Sequence, residues 1–125
     1  MNIVLWIFQG LLAVIFLMTG MMKVGQSKDE IKEKGGGRMN WVDDVSAGNI
    51  RLIGIAEVLA AVGLILPQVI GIMPWLTPLA AVGLILTMVG ATMLHIRRGE
   101  TIVPTIVLLL FAAFIAYGRF VLIPA

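Results

Sequence analysis

The sequence contains no cysteine. That excludes disulfides, thiolate metal sites, iron–sulfur ligation and any thiol–disulfide relay within the chain. His95 is the single histidine, so one chain cannot supply a bis-histidine haem site. Charge is scarce as well. Only 13% of residues are charged and 60% are hydrophobic, whereas a soluble domain carries about 25% and roughly 45–50%. Such a composition is suited to lipid rather than water. The formal net charge is only +2. Most of the Lys and Arg lie in one short loop and not along a binding face, which argues against a nucleic-acid partner. The run Gly35-Gly36-Gly37 has no strand before it and no Gly-Lys-Ser/Thr after it, so it is not a phosphate-binding loop. The eight methionines are scattered as core fillers, with no metal-binding pattern among them. No catalytic constellation is present, and the chain is not expected to be an enzyme on its own. Its 125 residues suffice for one domain.

What is abundant is long apolar sequence. A transmembrane helix needs about 20 mostly apolar residues, and four segments qualify: 2–22, 52–72, 75–94 and 102–123. Together they predict an all-α, four-helix transmembrane bundle. The first segment lacks the basic start of a signal peptide and is too long for one, so it is expected to be retained. Pro104 falls in the first turn of the fourth span, where proline costs little.

Lys and Arg set the expected orientation. Lys23, Lys28, Lys32, Lys34, Arg38 and Arg51 bracket the first loop, Arg97 and Arg98 sit in the third, and only Arg119 lies on the other side. The positive-inside rule then places both basic loops in the cytoplasm and both termini outside, in the inner or plasma membrane. Trp6, Trp75 and Tyr117 would form a belt at the outer interface. The alternative, in which the acids of the first loop form a translocated cap, is disfavoured because acids contribute little to orientation.

The polar loop 24–50 has internal signals. Ser27-Lys28-Asp29-Glu30 is a capping box that opens a short charged helix. The glycine run ends that helix and is expected to act as a hinge. Trp41, Val42 and Val45 then share one helical face with Asp43 and Asp44 turned away, the pattern of a short amphipathic segment at the membrane interface. The two aspartates suit a solvated face better than a cation site. Ser46 or Asn49 can cap the second span.

Within the spans, Leu59-Ala60-Ala61-Val62-Gly63-Leu64-Ile65-Leu66 recurs as Leu79-Ala80-Ala81-Val82-Gly83-Leu84-Ile85-Leu86, offset by 20 residues. Small residues let helices approach closely in lipid, so the pairs Ala56/Ala60, Gly83/Thr87 and Ala112/Ala116 are expected to face inward. Helical periodicity gives each span one inward stripe. These run Gln9, Phe16, Gly20, Lys23; then Gly54, Glu57, Ala61; then Ala80, Thr87, Ala91, His95; and last Thr101, Thr105, Ala112, Ala116, Arg119.

Glu57 is the sharpest residue. It sits six positions beyond Arg51, roughly 9 Å deeper in the membrane at 1.5 Å per residue. An acid at that depth must be paired, neutral or functional. Lys23 and Arg51 are the candidate partners, although Lys23 could instead snorkel to the surface. Lys23, Glu57 and His95 are expected to converge near the cytoplasmic side. With Gln9 and Thr87 they make the candidate ligand-binding set. Arg51, Arg119 and Trp41 are assigned structural or interface roles, Arg119 as an outer anchor.

Gly20-Met21-Met22-Lys23, Gly54-Ile55-Ala56-Glu57 and residues 88–95 resemble the DoxX family, in particular its short DoxX-like branch. The resemblance covers nearly the whole chain and implies a four-helix membrane bundle. That family is named after a small subunit of a membrane complex passing electrons from thiosulfate to quinone. On this footing the chain is expected to be a membrane accessory or binding subunit. It would hold a quinone or other lipophilic molecule, or a lipid, near Glu57 for a redox partner, and would act as a homo-oligomer or with another membrane protein. Two alternatives stand beside it: a structural or assembly protein without ligand, and a small proton-coupled transporter. The transporter reading is weakened by the lack of a second intramembrane acid and of broken mid-span helices.

Overall fold

The structure, a computed structural model, describes residues 1–35 and 39–122. The expected hinge at Gly36 and Gly37, Arg38 of the charge count, and residue 123 of the fourth span lie outside the described residues. Among the described residues there are five α-helices: α1 (Asn2–Gly25), α2 (Lys28–Gly35), α3 (Ala47–Ile70), α4 (Leu76–Arg97) and α5 (Val103–Tyr117). A 3₁₀ turn (Asn40–Asp44) separates α2 from α3, and a π-helical turn (Gly118–Leu122) continues α5. Helices α1, α3, α4 and α5 with its π turn are long and apolar enough to cross a membrane, with mean hydropathy of 2.0 to 2.2. The protein is a four-helix transmembrane bundle.

The helix ends follow from their residues. The Ser27 hydroxyl accepts from the Glu30 amide at 3.2 Å, completing the expected cap of α2. Ser46 rather than Asn49 caps α3, its hydroxyl accepting from the Asn49 amide at 3.2 Å. This cap starts α3 at Ala47, five residues before the apolar segment that begins at residue 52, because polar Asn49 and Arg51 fit its exposed first turns. Gly71 ends α3 in the left-handed conformation, φ 70°, that glycine adopts without strain.

The spanning helices pack in order around the bundle, α1 on α3 across the first loop, α3 on α4, α4 on α5, and α5 back on α1. The α1–α3 crossing is set by two glycines. A methyl group on Gly20 would sit 2.7 Å from the Gly54 carbonyl oxygen, and one on Gly54 would sit 2.7 Å from that of Gly20. Without hydrophobic drive between helices in lipid, this backbone approach is what van der Waals packing rewards. At the end carrying the termini, α1 meets α5: Phe8 packs against Phe111 and Phe114, with ring centroids at 4.8 and 5.1 Å. Between these contacts Leu12, Phe16, Leu64, Leu84 and Ile115 fill one buried core. The repeated octamers bury equivalent positions, Ala61 with Leu64 and Ala81 with Leu84.

Three inward stripes hold and one turns. Gln9, Phe16, Gly20 and Lys23 are buried, as are Gly54, Glu57 and Ala61, and Thr105, Ala112, Ala116 and Arg119. On α4 the buried face is instead Thr77, Ala81, Leu84 and Met88, one residue round from the expected Ala80, Thr87 and Ala91. Thr87, in the middle of α4, satisfies its hydroxyl on the Gly83 carbonyl of its own helix and so does not require the inward face, and the apolar Ala/Leu sequence around it fits either register. Thr101 is exposed, ahead of α5. Ala56 and Gly83 also face outward. The close approach that small residues were expected to supply there is made by Gly20 and Gly54, roughly 200° away from Ala56 at 100° per residue.

Candidate functional site

The glycine crossing builds the polar centre. Lys23 lies three residues after Gly20 and Glu57 three after Gly54, so each side chain leaves its helix beside the close contact. Because α1 and α3 run antiparallel, Glu57 lies deeper than Lys23. The Lys23 stem therefore extends into the bundle instead of snorkelling out, and its Nζ donates to Glu57 Oε1 at 2.5 Å. Thr19, one turn deeper on α1, donates its hydroxyl to Glu57 Oε2 at 3.0 Å. Both carboxylate oxygens are engaged, and Glu57 is 1% exposed. Arg51, the other candidate partner, is exposed at the start of α3. Thr19 escaped the sequence reading, although its spacing of four from Lys23 puts both on one face.

Trp41 covers this pair from below. Val42 is fully buried against Ile31 and Ile50, so the apolar face of the 3₁₀ turn is docked against α2 and the start of α3. Docking sets the Trp41 ring 5.5 Å from Lys23 Nζ, within cation–π range. The aspartates beside it are paired rather than merely solvated. Lys32 donates to Asp43 at 2.7 Å, and Arg98 to Asp44 at 2.7 Å. The Arg98 bond ties the first loop to the α4–α5 turn.

His95 belongs to that second tie. Its Nδ1 lies 2.8 Å from Glu100 Oε1, and Arg98 Nε approaches the same oxygen at 3.3 Å. The hydrogen bond from His95, aided by Arg98, holds the Glu100 carboxyl below its ordinary value of 4.5 against the opposing effect of burial. An ionised carboxylate only accepts, so Nδ1 carries the proton and Nε2 is the ring nitrogen left for another partner.

Between these groups lies a cavity of about 620 Å³, bounded by all four spanning helices and the 3₁₀ turn. Phe16, Ile53, Met88 and Leu108 give it apolar walls; Lys23, Glu57, Thr19 and His95 line it with polar groups. Lys23, Glu57 and His95 thus share one cavity, although His95 makes its hydrogen bond to Glu100 and not to Glu57. Thr87 also lines it, but its hydroxyl donates to the Gly83 carbonyl of its own helix at 2.9 Å. The volume falls within the usual range of small-molecule pockets, about 300–1,000 Å³.

Gln9 does not join this site. It lies 14 residues from Lys23 on α1, about 21 Å along the axis, in a second polar cluster near the termini. There its amide nitrogen donates to the Leu64 carbonyl at 2.6 Å and to Gln68 Oε1 at 2.7 Å. Its oxygen accepts from Arg119 Nε at 2.7 Å, while Arg119 also donates to Asn2 at 2.8 Å and lies 5.5 Å from the Trp6 ring. Arg119 is 3% exposed, so it is a buried bundle residue and not the expected surface anchor. Arg119 continues the inward stripe of Ala112 and Ala116, and the burial of that face against α1 takes it out of the surface.

Residues 7–118, all but the ends of the chain, match the family model described as the DoxX-like family. No curated protein and no solved structure matches the chain.

Proposed function

We propose, from the premise that the chain belongs to the DoxX-like family, that this multi-pass membrane protein is a binding subunit. Its cavity admits a lipophilic molecule with a polar head, of the quinone class. The observation that carries this is the cavity of about 620 Å³, apolar on its walls and polar at Lys23, Glu57 and His95. A quinone carbonyl accepts hydrogen bonds, and Lys23 Nζ has donors beyond the one given to Glu57. A hydroxyl on the reduced form would find an acceptor in His95 Nε2. With no cysteine and one histidine, electron transfer falls to a partner membrane protein, or to an assembly of several copies with one. In this function both basic loops are cytoplasmic and both termini lie outside.

The test is native mass spectrometry of protein purified in mild detergent, followed by solvent extraction. One quinone-class molecule per chain, lost in Glu57→Gln while helicity is kept, supports the proposal. A chain that retains none and binds none on reconstitution overturns it.

One observation favours a structural role instead: both Glu57 oxygens are already engaged, by Lys23 and Thr19. In that case an apolar Lys23→Met/Glu57→Leu protein keeps full cellular function. As a binding subunit it loses function while remaining folded.

A further inference from the structure

A second pocket, of about 430 Å³, lies outside the bundle where α1 ends, α2 begins and α3 begins. Among its lining groups are Lys23, Gln26, Lys28, Asp29, Asp43 and Arg51. Lys23 and Asp43 are committed elsewhere, to Glu57 and Lys32. Among the described residues, Lys28 and Arg51 form no ion pair, nor does Asp29. The uncommitted charge is therefore two cations against one acid, a net of +1. The side-chain oxygen of Gln26 is buried without a hydrogen-bond partner. A buried acceptor left unmade costs free energy, so a donor is wanted there.

The surroundings say where a ligand would come from. Arg51 occupies the first turns of α3, and Ile55, one turn further on the same face, is exposed. Leu52 beside it and Val24 at the end of α1 are exposed too. A polar pocket thus adjoins bare apolar surface of two spanning helices, which is the layout of a headgroup beside an acyl chain.

We propose that this pocket binds the headgroup of a membrane phospholipid. Lys28 and Arg51 hold the phosphodiester, and Gln26 and Asp29 accept from an N–H or O–H of the headgroup. Phosphatidylglycerol and phosphatidylethanolamine carry such donors. Phosphatidylcholine does not, because its quaternary ammonium has no N–H. The inference is independent of what occupies the inner cavity.

The full chain is exchanged into detergent with equal amounts of the three lipids and examined by native mass spectrometry. Phosphatidylglycerol and phosphatidylethanolamine are expected to stay bound in preference to phosphatidylcholine. Lys28→Gln and Arg51→Gln should each weaken retention roughly fivefold, the value of one cation near a membrane surface. Gln26→Leu should narrow the gap to phosphatidylcholine. Arg51 is exposed and unpaired, so Arg51→Gln keeps the test available if another variant fails to fold. Equal retention of all three lipids, or unchanged retention in Lys28→Gln/Arg51→Gln, overturns the proposal. Displacement of the lipid by millimolar inorganic phosphate overturns it in favour of a free-phosphate site.

Discussion

At the scale of single residues, Glu57 and Lys23 depend on each other. Each would be an uncompensated charge in a low-dielectric interior if its partner were removed. Glu57→Ala is therefore expected to destabilise the bundle by about 3–5 kcal/mol, and Lys23→Met by a similar amount. The double replacement by apolar residues should cost much less than the sum, since neither charge is left behind. Thermal or denaturant unfolding of the four proteins in one detergent measures this cycle, and additive losses would contradict the pairing. The glycines act one step earlier. Gly54→Ala sets a methyl 2.7 Å from the Gly20 carbonyl oxygen, a backbone atom that cannot swing aside. The helices must separate, at a cost of about 1–3 kcal/mol by analogy with overpacked cores. The Lys23–Glu57 contact should lengthen with them. Gly83→Ala, where a methyl meets nothing within 4 Å, is the control and should be close to neutral.

At the scale of elements, α3 carries a defect that its neighbours repair. Pro67 lies inside the helix and has no N–H, so the carbonyl four residues back, that of Gly63, loses its helical partner. Thr77 on α4 donates its hydroxyl to that carbonyl at 2.8 Å. Gln9 on α1 reaches the adjacent Leu64 carbonyl. The proline gap thus ties α4 to α3, as neighbouring side chains commonly do for broken helices in lipid, and Gln9 adds α1 at the next carbonyl. Thr77→Val should cost about 1–3 kcal/mol, the penalty of a stranded buried acceptor. In a Pro67→Ala background, with the N–H restored, the same change should cost clearly less. Equal losses in both backgrounds would show that the hydroxyl does not serve the proline gap.

The 3₁₀ turn is held by ionic contacts near the membrane surface, and these titrate. In the folded protein His95 lowers Glu100 below 4.5, and Lys32 lowers Asp43 below 3.8. A depressed carboxyl contributes stability above its unfolded value and loses it as the pH falls through the folded one. The turn should therefore hold at neutral pH and loosen in acid, starting near 4.5. Trp41 emission should shift to the red over that window, reversibly. Glu100→Gln should flatten the upper part of the profile. A spectrum that stays constant down to the pH of global unfolding would contradict this.

At the scale of the whole molecule, orientation is decided by which loops carry charge. The chain has no cysteine, so Lys34→Cys is a single reporter in the first loop. It should resist an impermeant maleimide in intact cells and label after permeabilisation; ready labelling of intact cells would invert the topology. The four spans were legible because apolar length is a property of each segment alone. The Lys23–Glu57 pair was legible because an acid and a base deep in lipid have few other partners. The face of α4 was not, since its run of Ala, Leu and Val carries no mark of which side packs and Thr87 within it bonds back to its own helix. The cluster of Gln9 and Arg119 was half legible: helical spacing put both on inward faces, but their contact joins positions 110 residues apart. The Asp44–Arg98 tie joins positions 54 residues apart, a separation that local spacing does not connect.

The central claim is that the cavity beside Glu57 takes a lipophilic ligand with a polar head. Trp41 lines that cavity, so it reports occupancy directly. In a Trp6→Phe/Trp75→Phe protein in lipid nanodiscs, Trp41 emission is followed while a quinone is titrated in. Saturable quenching at about one quinone per chain, shifted to much higher concentration in Glu57→Gln with helicity unchanged, is the expected result. Quenching that rises linearly without saturation, and identically in Glu57→Gln, would mean that the quinone is only dissolved in the surrounding lipid.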